Sequence, residues 1–311
     1  MNKLQKMIIR SGLVPSIIFD KKIIRSGLVA VAIFDNWYEF LTKYFLFSLG
    51  FNTRPIAKIS ECSLDLDVAI ALIRGVRDGV IRSYKCNSGK FYMGNWVYDP
   101  EKKLWIRLDK NQVKFKRMTP SLSEIFDYGI YDELNVNGKI VVDIGAYVGD
   151  SAIYFASKGA RKVIAVEPHP GAYVEMVETI KLNNLEQFII PINAGLASKP
   201  GKICITDVDI SATAHALHSK NESSCKITVP AITLDDLLKR FAVDAESVLK
   251  MDCEGCEFDV IINDYQHVKL FKELIVEYHS LPDKLLQILN SDYKCKMKGS
   301  KRFGIMYCIQ K

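Results

Sequence analysis

The chain has 311 residues, 49% of them hydrophobic and 25% charged, a balance that excludes a disordered or fibrous protein and leaves room for roughly two domains. A net charge of +6 is too small to argue for nucleic acid by itself. The charge is uneven, however: residues 1–138 hold 21 of the 42 basic and 14 of the 36 acidic side chains, net +7, and the remainder is net −1.

The first 36 residues contain a tandem repeat, in which Ile8-Ile9-Arg10-Ser11-Gly12-Leu13-Val14 recurs as Ile23-Ile24-Arg25-Ser26-Gly27-Leu28-Val29. Two copies are too few for a solenoid, so a local duplication, weakly tied to any core, is expected. A helix is predicted over 37–50 and another over 65–83, with Leu66, Val68, Ala69, Leu72 and Val76 on one side. Between Ser83 and Met118 aromatic and β-branched residues alternate with polar ones around turn signals at Asn87-Ser88-Gly89 and Asp99-Pro100, which reads as antiparallel hairpins. Residues 120–138 form a link with a short helix. Residues 37–138 thus make an accessory α/β region.

From Lys139 strands and helices alternate. Ile140–Ile144 is a short apolar run of the kind found in strands buried on both faces. Strands follow at 162–166, 188–192, 247–251 and 274–278, separated by helices near 150–158, 170–183, 234–241 and 258–263, with a hairpin possible in pattern around 203–206 and 226–229. A helix over 282–289 and terminal strands at 295–298 and 304–309 complete the chain. The fold class expected for 139–311 is α/β, a doubly wound, mostly parallel Rossmann-like sheet. Ligands sit at the carboxyl ends of strands in such sheets, so the residues just after each strand are the ones to examine.

The first strand runs into Asp143-Ile144-Gly145-Ala146-Tyr147-Val148-Gly149-Asp150-Ser151. Glycines there let the backbone turn sharply and bring a ligand close to the main chain. The spacing lacks the G-x-G-x-x-G of nucleotide dehydrogenases, and a carboxylate beside the turn suits a cationic ligand better than pyrophosphate. The second strand ends in Val166-Glu167-Pro168, where a carboxylate can accept both hydroxyls of a ribose. Together the two tips fit S-adenosylmethionine, with Glu167 on the ribose and Asp143 near the methionine portion. Candidate cofactor residues are Asp143, Gly145, Tyr147, Gly149, Glu167, Pro168, Asn193 after the third strand, and Asp252 after the fourth. His169 reads as a surface or capping residue.

These stretches, together with Thr233-Leu234-Asp235-Asp236-Leu237, Leu249-Lys250-Met251-Asp252-Cys253-Glu254-Gly255-Cys256-Glu257 and Val276-Glu277-Tyr278-His279, resemble the FkbM-type methyltransferases, a branch of the class I S-adenosylmethionine-dependent enzymes. The resemblance covers about residues 125–310. It implies the methyltransferase sheet with an antiparallel last strand, and transfer to hydroxyl groups of small or glycan-like metabolites. A sugar, lipid or secondary metabolite is the expected acceptor.

Asp252 and Glu254 at the fourth strand tip, with His279 after the fifth, are the candidate catalytic bases. No metal is expected, because Asp252 and Glu254 have no histidine at ligand spacing in sequence. The C-x-x-C of Cys253 and Cys256 lacks a second pair for zinc and reads as small apolar filling. Eight cysteines in a chain of this length do not suggest a disulfide framework, so a reduced, cytoplasmic protein is expected. Charged residues interrupt any apolar leader near the N-terminus, and no apolar run reaches 18 residues, so neither a signal peptide nor a transmembrane segment is expected. Two other readings compete: an RNA methyltransferase using the basic residues Lys110, Lys114, Lys116 and Arg117 with Trp96, Tyr98 and Trp105, and a scaffold that binds the cofactor without turnover. Alternating aromatics in hairpins more often pack, so nucleic acid is not the expected partner.

Overall fold

The structure is a computed structural model and describes residues 21–205, 225–300 and 302–311. It divides into two compact units, 1–128 and 129–311. The division falls after Tyr128, so the stretch from Gly129, read from sequence as part of a link ending at 138, belongs with the second unit.

In the first unit helix α1 (Lys21–Ile33) packs on α2 (Trp37–Ser48) and on α3 (Leu66–Arg77), which is preceded by the short pair β1 (Ala57–Ile59) and β2 (Cys62–Leu64). The weak attachment expected of residues 1–36 does not hold for this second copy of the repeat, since Ala30, Ile33 and Phe34 are buried. The first copy lies outside the described residues. Helix α3 starts where the Asp65 side chain accepts from the Val68 N–H, and it buries Val68, Ala69, Leu72 and Ile73 along one stripe. It stops at Arg77 rather than 83 because the chain turns at Gly79 and folds Ile81 back onto Gly75, where a Cβ would lie 2.2 Å from the Ile81 side chain.

The expected hairpins are a five-stranded antiparallel meander: β3 (Tyr84–Asn87), β4 (Lys90–Met93), β5 (Trp96–Asp99), β6 (Leu104–Arg107) and β7 (Lys114–Phe115). Helix α4 (Pro120–Phe126) begins with Thr119 as cap and proline in its first turn. Trp96, Trp105, Phe91 and Phe115 are all buried. Their rings therefore fill the core of the meander and are not a stacking platform for bases.

The second unit is built on a seven-stranded sheet in the order β10-β9-β8-β14-β15-β17-β16. Its strands are β8 (Ile140–Ile144), β9 (Lys162–Val166), β10 (Ile189–Ile192), β14 (Val248–Met251), β15 (Glu273–Tyr278), β16 (Tyr293–Gly299) and β17 (Gly304–Gln310). Strands β8, β9, β10, β14 and β15 run parallel, and β17 runs antiparallel to β15, which is the Rossmann-like order with an inverted last strand. All five residues of β8 are buried, four of them apolar and the fifth, Asp143, a carboxylate, at the centre of a sheet covered on both faces. Helices α5 (Asp150–Ser157), α6 (Pro170–Leu182), α7 (Leu234–Phe241), α8 (Cys256–Asn263), α9 (Tyr265–Val268) and α10 (Asp283–Leu289) complete this unit. A smaller sheet, β11 (Gly195–Leu196), β13 (Ile227–Ile232) and β12 (Gly201–Ile205), contains the antiparallel pair expected near 203 and 229. The Thr233–Leu237 motif is a capping box: the Thr233 hydroxyl accepts from the Asp236 N–H while the Asp236 carboxylate accepts from the Thr233 N–H.

The cysteines overturn the expectation of a reduced chain. Cys62–Cys86, Cys204–Cys225, Cys253–Cys256 and Cys295–Cys308 are disulfides, and no cysteine is free. Count and length do not reveal such pairings: Cys295 and Cys308, for example, are opposite one another on β16 and β17. Among the described residues, no helix is long and apolar enough to cross a membrane.

Candidate active site

Strands β9, β8, β14 and β15 are consecutive in the sheet and parallel, so the residues following them share its carboxyl edge. The glycine turn after β8 is shaped by contact with the loop after β14. Gly145 has φ +76°, and a Cβ there would lie 1.7 Å from the backbone oxygen of Asp252. Only glycine allows both that backbone angle and that approach. Tyr147 also takes a positive φ of 47°, and Gly149 opens α5 with φ +89°.

Glu167 is where the sequence places it, at the tip of β9, and is 6% exposed. One carboxylate oxygen accepts from the Tyr147 N–H at 2.9 Å and the other from the His169 N–H at 2.7 Å. Each oxygen retains a lone pair for a ligand hydroxyl. Burial pushes its carboxyl up to about 7, against those backbone hydrogen bonds and the Lys250 ammonium, which favour the charged form. His169 caps α6, its Nδ1 accepting from the Ala172 N–H at 3.2 Å. The Asn193 amide donates to the backbone oxygens of Glu167 and Pro168 at 2.9 and 3.1 Å. Asn193 thus fixes the loop that presents Glu167, and Pro168 supplies one of its anchoring oxygens.

Asp143 is placed differently from expectation. Its side chain is fully buried, pairs with Lys250 Nζ at 3.1 Å and accepts from the Ser151 hydroxyl at 2.7 Å. Lys250 in turn donates to the backbone oxygens of Ile144 and Gly145 at 3.2 and 2.7 Å. Through Lys250 the pair is tied to the glycine turn. A lysine buried in a central strand needs a counter-ion, and Asp143 is that ion. Burial opposes charge on Lys250, but the fields of Asp143, Asp252 and Asp150 outweigh it and raise its ammonium above the usual lysine range. Sequence reasoning missed Lys250, although a lysine between Leu249 and Met251 in an apolar strand was a readable signal.

Asp252, Glu254 and His279 do come together. His279 Nδ1 is 3.6 Å from a Glu254 oxygen, and its Nε2 is 3.6 Å from a Glu277 oxygen. Glu277 joins Asp252 and His279 in one group whose ligand-capable atoms all lie within 4.8 Å of one another. The sequence motif contained Glu277 but gave no reason to single it out. Glu257 is fully buried, accepts from the Gly255 N–H, and has its carboxyl pushed up to about 7 by burial and by the neighbouring Asp252 and Glu254. Cys253 and Cys256 are bonded across this loop rather than acting as separate apolar fillers.

The residues fit S-adenosylmethionine on chemical grounds. A half-open glycine turn, a ribose-type carboxylate and a further carboxylate (Asp252) line one edge, and a cationic ligand suits that charge.

Residues 143–295 match the FkbM methyltransferase domain. Over 141 residues the chain is 27% identical to the hexuronic acid methyltransferase AglP of Haloferax volcanii, covering 45% of this chain and 56% of that protein. It is 25% identical over 186 residues to methyltransferase sdnD of Sordaria araneosa, covering 50% of this chain and 72% of that protein. Among solved structures, an FkbM methyltransferase from Methylobacillus flagellatus aligns with 60% of this chain and 47% of its own length, at 16% identity and a TM-score of 0.43. The chain thus spans a little over half of the Haloferax relative, 56% of its length. On the match over 143–295, the second unit belongs to the FkbM methyltransferase domain family.

Proposed function

We propose that the chain is an S-adenosylmethionine-dependent O-methyltransferase acting on a hydroxyl of a sugar, lipid or secondary metabolite. The observation that carries this reading is the meeting of Gly145, Glu167 and Asp252 at one sheet edge within an FkbM domain. When bound, the cofactor supplies the methyl group as an activated sulfonium. Glu167 accepts the ribose hydroxyls, each such bond to a charged acceptor contributing about 1.5–3 kcal/mol. The Gly145–Gly149 turn allows close approach of the main chain, and Asn193 holds the Glu167 loop in place. The acceptor lies over Asp252, Glu254 and His279, where a placed base adds about 10²–10⁴-fold to the rate. Positioning of the oxygen in line with the methyl carbon supplies the larger share.

One name among the relatives bears on the acceptor, the hexuronic acid methyltransferase, and it favours a sugar. The competing RNA reading loses its tryptophans to the core with the burial of Trp96 and Trp105 and keeps the basic residues, of which Lys110 and Lys116 are exposed. A cytoplasmic location remains our proposal. It requires a cytoplasm that keeps protein disulfides, as in hyperthermophiles, where intracellular disulfides are common. The test is incubation with isotopically labelled S-adenosylmethionine and a panel of uronic-acid glycosides, neutral glycosides and RNA, read by mass spectrometry. Label on a glycoside oxygen supports the reading. Label on RNA alone removes it, and label on nothing despite cofactor binding removes the sugar as acceptor.

A further inference from the structure

We propose that Asp252, Glu277 and His279 form a divalent-cation site at the carboxyl ends of β14 and β15. That the ion binds is independent of the methyltransferase reading; that it holds the acceptor oxygen rests on it. The geometry comes from the sheet. Strands β14 and β15 are parallel neighbours with Met251 opposite Val276, so Asp252 and Glu277 emerge side by side. Glu277 and His279 are two residues apart at the end of an extended strand, which sends both side chains the same way.

The ligand-capable atoms of the three residues lie within 4.8 Å of one another, and His279 Nε2 is 3.6 Å from a Glu277 oxygen. Atoms sharing a cation at about 2.1 Å stand roughly 3–4.2 Å apart, so small side-chain adjustments complete the set. The other imidazole nitrogen, Nδ1, is 3.6 Å from Glu254. A carboxylate behind a ligating histidine is the usual outer partner that orients the ring and raises its basicity. The charge of the cluster reaches its neighbours. The Tyr131 phenol is raised first by burial and then by the fields of Asp252 and Glu277.

Two carboxylates and one imidazole suit Mn²⁺ or Fe²⁺, better than Ca²⁺ with its all-oxygen shells. The adjacent group Cys253, Cys256 and Glu257 is a poorer candidate, because its two sulfurs are joined in a disulfide and supply no thiolate. At the proposed site the cation withdraws charge from the acceptor hydroxyl. The hydroxyl proton leaves to solvent, the oxygen–carbon bond forms and the carbon–sulfur bond of the cofactor breaks, leaving a neutral thioether.

The test uses the full chain, treated with chelator and desalted, and titrated with Mn²⁺ by calorimetry and electron paramagnetic resonance. Saturable binding at a single site is expected. Glu277→Gln and His279→Gln should each weaken it about 10–100-fold. Cys253→Ser with Cys256→Ser should leave it unchanged. Asp252→Asn serves as a further ligand variant if either of the first two fails to fold, with melting curves as the control. Absence of saturable binding, or binding that the ligand variants leave within about 2-fold of wild type, overturns the site. S-adenosylmethionine is titrated into the same samples. Cofactor binding without Mn²⁺ binding removes the cation site alone; Mn²⁺ binding without cofactor binding keeps the site and removes the methyltransferase reading.

Discussion

The two units handle buried and half-buried charge in different ways. In the meander of the first unit, Asp127 receives Arg107 at 2.9 Å, the Trp96 indole at 3.1 Å and the Ser123 hydroxyl at 3.0 Å, while Arg107 also reaches Asp109 at 2.6 Å. The guanidinium lies over the rings of Trp96 and Phe126. Such a cluster is closed by short hydrogen bonds and serves to fix the core. At the sheet edge of the second unit, His279 stands 3.6 Å from both Glu254 and Glu277, beyond hydrogen-bond length but at the spacing of groups that share a ligand. Lys250 and Asp143, in the neighbouring strands β14 and β8, form a buried ion pair at 3.1 Å. The first unit's cluster fixes a core; the second unit's edge gathers the ligand-capable atoms of Asp252, Glu277 and His279 within 4.8 Å of one another.

Lys250→Met should break the closed pair and strand Asp143 in the core, at a cost of about 3–5 kcal/mol in urea unfolding. Asp252→Asn should cost far less stability. Equal losses would erase the distinction between the clamp and the edge. Removing Cys62–Cys86, which spans 24 positions, should cost about 3 kcal/mol, and removing Cys253–Cys256, which spans 3, should cost less. Thermal melts of the two paired serine variants decide this, and the reverse order would contradict the loop-entropy account. Thr233→Ala should remove the α7 capping box for about 1 kcal/mol without changing cofactor affinity, checked by unfolding and calorimetry side by side.

The pH response sharpens the same contrast. Glu167 stands at about 7 in the folded chain against an ordinary 4.5. A carboxyl raised on folding contributes stability below the lower value and loses it as pH rises through the upper one. Without cofactor, that contribution should therefore fade between about pH 4.5 and 7. Cofactor affinity should move the opposite way, rising as Glu167 ionises, and Glu167→Gln should flatten both trends. A wild-type affinity that is level across this range would detach the ribose role from the charge.

Much of the second unit was legible because its strands are buried on both faces and read as plain apolar runs. The boundaries of β9 and α7 agree with those expected from sequence. Glu167 was legible for the same reason, as a polar residue ending such a run. Asp143 was legible as a carboxylate near the end of β8, but its pairing with Lys250, 107 positions later in the chain, depends on the β8–β14 pairing. Glu277 was hidden likewise, since its meeting with Asp252 is a matter of strand register rather than spacing. The disulfides escaped because their pairings depend on strand register and tertiary contact: Cys295 and Cys308 face each other across β16 and β17, and Cys62–Cys86 joins strands of two different sheets.

The most direct measurement is calorimetric titration of S-adenosylmethionine into the wild-type chain and into Glu167→Gln at a pH above 7. The account predicts saturable binding by the wild type, weakened about 10–150-fold by the substitution. Binding that ignores the substitution, or no binding by a folded wild-type chain, would contradict it.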